Sequence, residues 1–339
     1  MMRFLVTIPM LALFACSGGG DDDTKTDGGT DVVTDGDDDD DDVVGDDDDD
    51  DCGNEVVEQV PESGATDAFY RTEVVAVLDD EDPSATLEVT GVTGATSIEG
   101  TVVSFKPDAP LTGGDTYTAS LTYECGTESW DFTVGDEVGG LTDEKSLPGS
   151  TYSLDLASGT WVKPAGVGDL IGTLIGDVEV LFGVISVDAK GGTIPMIGAL
   201  GDGSGAQDIC VPTLDFPVAP SWDNPYWEVN TPTLDITVED FTISITDVTL
   251  GGAFTPDGSS IEGGVLKGSI DTRPLVEALS PGGTEGSVCL LISSIAAGVE
   301  CVPCGDGAEF CLEVWVSDIT AGGVPGTITQ LDKPDPSCE

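Results

Sequence analysis

Cysteine is the residue type whose spacing in this sequence could support the most chemistry. Cys301 and Cys304 are separated by two residues, and Cys289 and Cys311 flank them, a spacing that a tetrahedral zinc cluster can use. In an oxidising compartment the same thiols would form disulfides instead. The 339 residues contain nine cysteines, namely Cys16, Cys52, Cys125, Cys210, Cys289, Cys301, Cys304, Cys311 and Cys338. The choice between metal and disulfides therefore depends on where the chain is delivered.

The amino-terminal segment has the pattern of an export signal that ends in a lipid attachment site. Arg3 precedes an apolar run, and Leu13-Phe14-Ala15 lies directly before Cys16. This pattern resembles bacterial lipoproteins, in which the cysteine becomes the first mature residue and carries a diacylglycerol and an N-acyl chain. An ordinary signal peptide that contains a cysteine is the alternative. The run is interrupted by Pro9 and is shorter than the roughly 20 residues of a membrane-spanning helix. We expect residues 1–15 to be a signal peptide and Cys16 to be lipidated.

The lipoprotein resemblance also implies a cellular location and a class of partner. Ser17 follows the cysteine, whereas an Asp at that position retains enteric-type lipoproteins at the inner membrane. Acidic residues shortly after the cysteine resemble surface-export signals of some diderm bacteria. The resemblance therefore implies the outer membrane, contacted through the lipid anchor, with a glycan or a protein of the cell envelope as partner.

The count of the remaining cysteines favours disulfides over zinc. Eight cysteines remain once Cys16 is assigned to lipid, and an even number in an exported chain predicts four disulfides. Six of them lie after residue 200, and because six cysteines allow about 15 pairings, the sequence leaves their connectivity open.

Acidic residues dominate the composition, with 65 Asp and Glu against 10 Lys and Arg and a formal net charge of -55. Residues 21–51 contain 18 Asp and one Lys, which leaves 47 acidic and 8 basic residues in residues 52–339. Residues 16–51 hold too few apolar side chains to offset the entropy of ordering, so they are predicted to be a disordered tether. Loose calcium binding by the Asp runs is the alternative. The charge of the remainder excludes nucleic acid as a partner and favours cations.

Catalytic machinery is hard to find in this sequence. Histidine is absent, so the commonest general base and metal ligand are both missing. Neither the Gly-x-Ser-x-Gly nor the Ser-x-x-Lys pattern of serine hydrolases occurs. A pair of carboxylates acting as in a glycosidase stays open as a distant alternative, because the many acidic residues prevent its location.

Two short stretches are candidates for ligand binding. Asp202, Ser204 and Asp208 place oxygens on a glycine-rich loop and form the best calcium candidate, although a plain turn is favoured because the full spacing of a known calcium loop is absent. Trp222, Tyr226 and Trp227 concentrate aromatic rings in a turn-rich stretch. If exposed they could stack on a sugar or an apolar ligand, and if buried they would close one end of a core, which we favour.

Short β-type runs separated by turn residues fill the region from residue 52 to residue 135 and predict an antiparallel sandwich. They are Val56–Val60, Thr72–Leu78, Leu87–Val92, Thr101–Phe105, Thr116–Tyr123 and Trp130–Val134.

Two motifs in this first domain resemble the bacterial Ig-like domain of the S-layer SbsA type. They are Pro61-Glu62-Ser63-Gly64-Ala65-Thr66-Asp67, and Phe105-Lys106-Pro107 followed by Pro110 to Tyr117. The resemblance implies a spacer or display module without an active site, with Tyr117 as a tyrosine corner whose hydroxyl contacts nearby backbone. Cys52 and Cys125 depart from the pattern, and a bridge between them would fix the entry of the domain to its body.

Residues 147–339 match no family that we recognise and are predicted to form a larger, disulfide-braced β-rich domain with one or two short helices. One helix is expected from Asp271 or Thr272 to Leu279, and a second from the apolar spacing of residues 288–299. The segment from Thr246 to Gly252 resembles that from Ser317 to Gly323, which is a weak sign of two similar strand ends.

These observations favour a non-enzymatic lipoprotein displayed on the outer membrane as a structural, adhesion or display module, without a cofactor other than Ca²⁺ at the candidate loop. The alternative is binding of a glycan or a small apolar ligand by the second domain. A carboxylate-dependent hydrolase is the distant third hypothesis.

Overall fold

Antiparallel strands are the predominant regular secondary structure, so the predicted mainly β fold class is confirmed. A computed structural model describes residues 52–136, 139–166, 179–238, 241–295 and 299–338. The lipidation prediction for Cys16 and the tether prediction for residues 16–51 lie outside the described residues.

The first domain is a sandwich of two sheets, which we call the sandwich domain. One sheet has the order β1-β2-β5-β4 and the other β3-β6-β7. The core between them contains Leu87, Leu121 and Phe132, all fully buried. The strands are β1 Val56–Val60, β2 Val74–Leu78, β3 Thr86–Val89, β4 Gly94–Glu99, β5 Val102–Pro107, β6 Thr116–Tyr123 and β7 Gly126–Thr133.

Tyr117 makes the contact expected of a tyrosine corner. The backbone N–H of Thr112 donates to the Tyr117 hydroxyl at 2.9 Å. The half-buried ring stacks on Phe132, with 5.9 Å between ring centroids. This contact ties the segment before β6 to the sandwich core.

A disulfide between Cys52 and Cys125 joins the entry of the sandwich domain to the turn between β6 and β7. It closes a loop with a sequence separation of 73 residues. The bridge therefore has the position that the sequence indicated.

Removing this bridge should destabilise the protein more than removing a bridge that closes a short loop. For Cys52→Ser combined with Cys125→Ser we expect the free energy of unfolding to fall by about 4 kcal/mol. Opening a long loop returns more conformational entropy to the unfolded chain than opening a short one. The matched control is Cys304→Ser combined with Cys311→Ser. That bridge spans a sequence separation of 7, and its loss should cost about 2 kcal/mol. Urea unfolding measures both losses, and a larger loss for the short loop would contradict the expectation.

The second domain, which we call the large-sheet domain, is built on one sheet with the order β12-β11-β10-β8-β17-β16-β15-β14-β13, and β9 pairs with β17. Strands from both halves of this order share one core, so the sheet curls over its own apolar face. The strands are β8 Thr151–Asp155, β9 Thr160–Lys163, β10 Val180–Val184, β11 Met196–Leu200, β12 Leu214–Asp215, β13 Ser221–Asp223, β14 Tyr226–Val238, β15 Phe241–Phe254, β16 Ser260–Asp271 and β17 Cys311–Val324.

Two short helices lie between β16 and β17. A 3-10 turn over Arg273–Leu275 leads into α1, Val276–Leu279, as the sequence predicts. The second helix, α2, covers Ser287–Ile295. Its Val288 is fully buried, but Leu291, which the apolar spacing placed on the buried face, is 39% exposed. Val299, which the spacing also placed on the helix, is not helical, and α2 buries a narrower face than the spacing indicated.

Three disulfides brace the large-sheet domain. Cys289–Cys301 ties α2 to the segment after it, and Cys304–Cys311 closes the loop that enters β17. Cys210–Cys338 joins the segment after β11 to the carboxyl-terminal turn. The disulfide prediction is confirmed. The zinc alternative fails because the sulfurs of its four candidate ligands are bonded in pairs, Cys289 to Cys301 and Cys304 to Cys311.

An apolar core also joins the two domains. In β2, Val74, Ala76 and Leu78 pack inside the sandwich, whereas Val75 and Val77 face the other way. The second set packs with Val60 and Val102 of the sandwich domain against Val162 and Trp315 of the large-sheet domain, in a cluster of buried residues. Because β2 is buried on both faces, the two domains form one body.

Candidate binding groove

A polar face of the large sheet is opposite the sandwich domain. Alternate residues of a strand point to opposite sides of a sheet, and in β14 Trp227 and Val229 enter the core while Tyr226, Glu228 and Asn230 face outward. The Tyr226 hydroxyl donates to Glu228 Oε2 at 2.8 Å, and Asn230 Nδ2 donates to Glu228 Oε1 at 2.8 Å. The hydroxyl of Thr249 in β15 donates to Asn230 Oδ1 at 2.7 Å. We call these four linked side chains the polar ladder.

Burial and the hydrogen bond to Glu228 raise the pKa of Tyr226. Its hydroxyl therefore stays protonated and keeps its role as donor. Because each member of the polar ladder is held by a neighbour on a rigid strand, the ladder is ordered before any ligand arrives.

Loops of the sandwich domain form the opposite wall. The Arg71 guanidinium lies 5.8 Å from the ring centroid of Tyr70 and 5.5 Å from that of Tyr226, and it pairs with the exposed Asp223 at 3.3 Å. Lys106 also lines this wall, is exposed, and forms no ion pair with any described residue. Arg71 thus links the loop after β1 to the aromatic end of the polar ladder.

The side chain of Lys267 in β16 contacts both domains. Its Nζ lies 3.1 Å from Glu73 of the sandwich domain and 3.5 Å from the centroid of the Trp315 ring. A second contact between the domains joins Phe69 and Gly263, which are so close that a Cβ at Gly263 would overlap the Phe69 ring. Gly263 also has a φ of +57°, which favours glycine at this position.

Two adjoining cavities of about 550 Å³ each lie between these walls. The first is bounded by the polar ladder and the loops over residues 69–73 and 106–110, and we call it the interdomain groove. The second is bounded by residues 61–70 of the sandwich domain and by Asp318, which also lines the groove. Asp318 is therefore the carboxyl that the two cavities share.

Asp318 has an unusual backbone and an unusual environment. Its φ of 56° is left-handed, in a bulge of β17 where the register against β16 shifts. Its carboxyl has no hydrogen bond or ion pair to any described residue, and burial, followed by the charges of Asp67 and Glu62, raises its pKa to about 6. Asp247 of β15, its counterpart in the sequence echo, has a φ of 51° in an equivalent bulge but is exposed.

Asp318→Asn should stabilise the protein at neutral pH. Because the folded pKa is raised from 3.8 to about 6, the folded state binds more protons than the unfolded chain between these values, and stability is lost as pH rises through them. Removing the charge should raise the free energy of unfolding at pH 7 by up to about 3 kcal/mol. Asp247→Asn, with the same backbone conformation, should change little. Urea unfolding from pH 4 to pH 8 compares the two, and equal effects would contradict the environment described for Asp318.

Trp222 and Trp227 are inside the large-sheet domain, 7% and 2% exposed. Trp222 packs on Phe254 and Trp227 on Phe182, with ring centroids 5.9 and 6.2 Å apart. This corrects the alternative in which both indoles stack on a ligand, because neither presents a free face. Of the three aromatic residues only Tyr226 reaches the groove.

The calcium candidate is a hydrogen-bonded turn. The Asp202 carboxylate accepts from both the N–H and the hydroxyl of Ser204, and these bonds lower its pKa. The Asp208 carboxylate accepts from the N–H of Cys210 at 2.8 Å. Among the described residues no group of three or more Cys, Asp or Glu side chains is arranged to hold a metal ion.

The groove could not be predicted from the sequence because its residues come from six separate stretches of the chain. One sign in the sequence is the echo between Thr246-Asp247 and Ser317-Asp318, but this echo reflects a shared bulge and does not indicate a ligand. Another is the polar alternation of Tyr226, Glu228 and Asn230, which shares its stretch with the aromatic pattern of Trp222 and Trp227.

Comparisons with known proteins add little to this geometry. No family model matches the sequence, and no curated protein matches it. Among solved structures, an L,D-transpeptidase from Mycobacterium smegmatis has 15% identity and a TM-score of 0.24, over 44% of this chain and 77% of that chain. Mycobacterium tuberculosis L,D-transpeptidase 1 has 12% identity and a TM-score of 0.23, over 57% and 74%. Such TM-scores are too low for either likeness to bear on fold or activity.

Proposed function

We propose that this protein is a non-enzymatic bacterial lipoprotein that displays a rigid two-domain body at the surface of the outer membrane. The observation that carries the proposal is the pairing of cysteines. All eight cysteines after Cys16 form four disulfides, which supports an oxidising compartment. Cys16 is left as the one cysteine for lipid attachment.

A display role agrees with the chemistry of the described residues. The sequence has no histidine, and every cysteine of the described part is oxidised, so neither an imidazole base nor a thiolate nucleophile is offered there. The sandwich domain, with its tyrosine corner, serves in this proposal as the Ig-like spacer of the SbsA type that its motifs resemble.

The body is carried on a lipid anchor and an acidic spacer. None of the helices in the described part of the chain is long and apolar enough to cross a membrane. In the proposal, acyl chains on Cys16 hold the protein, and the segment up to residue 51 reaches at most roughly 115 Å from the membrane. The apolar core around Trp315 keeps the two domains in one orientation at the end of that spacer.

Surface display can be tested with protease added to intact cells that express the full chain. We expect the protein to be cleaved without permeabilising the outer membrane, while a periplasmic marker stays intact. Complete protection in intact cells, together with cleavage after permeabilisation, would overturn surface display.

A further inference from the structure

The interdomain groove differs in charge from the rest of the molecule. Acidic residues outnumber basic ones by 47 to 8 in residues 52–339, but the groove is close to balanced. Its charged lining consists of three basic residues, Arg71, Lys106 and Lys267, and four acidic residues, Glu73, Asp108, Glu228 and Asp318. A site that selects cations would not include three basic side chains, and a site that selects anions would not include four acidic ones.

The lining also offers donors and acceptors that are not fully used. Each oxygen of Glu228 accepts one hydrogen bond and can accept another, and Asn230 Nδ2 retains a second N–H. The Lys106 ammonium has no ion-pair partner and the Asp318 carboxyl no hydrogen-bond partner among the described residues. One cavity therefore offers both hydrogen-bond donors and hydrogen-bond acceptors to a ligand.

The size and preorganisation of the groove fit a ligand of a few rings. A volume of about 550 Å³ is within the range of small-molecule sites. The polar ladder is fixed on strands, so binding would immobilise few side chains. Phe69, Pro107 and Val265 add apolar surface beside the polar groups.

We infer that the interdomain groove binds a neutral carbohydrate, with Glu228 and Asn230 hydrogen-bonded to its hydroxyl groups. Sugar hydroxyls both donate and accept, so they match a lining that offers both, and the C–H faces of the ring match the apolar part. An uncharged ligand also escapes the repulsion that the acidic surface exerts on anions. This inference goes beyond the display role, which needs no ligand.

Calorimetric titration of the full mature chain with cellotriose, maltotriose and triacetylchitotriose tests the inference. We expect at least one to bind, and Glu228→Gln or Asn230→Ala to weaken that binding by about tenfold or more. Asp235→Asn is the matched control, because Asp235 lies on the same strand, exposed and bonded to Ser244, but outside the groove. Its affinity should equal that of the unaltered chain.

Thermal unfolding of each variant confirms that the fold is retained. No binding of any of the three trisaccharides, or equal affinity in both groove variants and the control, would overturn the inference. Binding of only spermidine or only trigalacturonate in place of the neutral sugars would also overturn it, since the groove would then select charge. None of these outcomes affects surface display, which the protease experiment tests separately.

Discussion

Trp315→Ala is expected to lower the free energy of unfolding by about 3–5 kcal/mol, the usual cost of deleting a buried aromatic side chain. The Trp315 ring is 5% exposed and packs in the core that joins the domains. The Lys267 ammonium lies over the Trp315 ring, and the indole Nε1 donates to the Ser317 hydroxyl at 2.9 Å. Alanine would leave a cavity at the interface and remove both contacts.

Trp315→Phe is the matched variant, because it keeps an aromatic ring and loses only the indole N–H and some volume. We expect a loss of about 1–2 kcal/mol for it. Urea unfolding gives both values, and hydrogen exchange of the amides of β2 locates the effect at the interface. Unchanged stability of Trp315→Ala would contradict the description of the two domains as one body.

Cys16→Ser is expected to abolish lipid attachment completely. Only the cysteine sulfur can form the thioether that the lipoprotein resemblance implies, so cells fed an alkyne analogue of palmitate should not label the variant. The leader should also stay attached, and the variant should have a larger mass than the mature protein.

Cys52→Ser provides the control for this labelling experiment. It removes a cysteine from a disulfide of the sandwich domain and should label as strongly as the unaltered chain. Undiminished labelling of Cys16→Ser would show that lipid is attached elsewhere or not by this route.

The sandwich domain could be predicted well because local patterns decide it. The runs Val56–Val60 and Thr116–Tyr123 coincide with β1 and β6, and the Tyr117 contact depends on residues five positions apart. The strand Gly94–Glu99 was missed because its residues are small, polar and mostly exposed, which is also the composition of a loop.

The interface between the domains has a signal in the sequence of β2. The sequence Val74-Val75-Ala76-Val77-Leu78 has no polar residue at alternate positions, which is typical of a strand that is covered on both faces. A sandwich alone would leave one of those faces in water. The identity of the covering surface, from Val162 and Trp315, depends on long-range contacts that no local pattern encodes.

The buried position of Trp222 and Trp227 also depends on pairing that the local sequence does not show. Their stretch contains Asn224-Pro225 and looks like an exposed turn, yet it forms the short hairpin of β13 and β14. The pairing of Trp222 with Trp227 places both indoles on the face that closes the core. Asp318 could not be predicted as a groove residue, because its burial and the nearby charges of Asp67 and Glu62 depend on how the other domain packs against β17.

Mass spectrometry of the native protein extracted from membranes is the decisive test of whether the protein is lipid-anchored and braced by disulfides. We expect a chain that begins at Cys16, carries the mass of a diacylglycerol and an N-acyl group, and contains no free thiol. A chain that begins at another residue, or an unmodified thiol at Cys16, would contradict it.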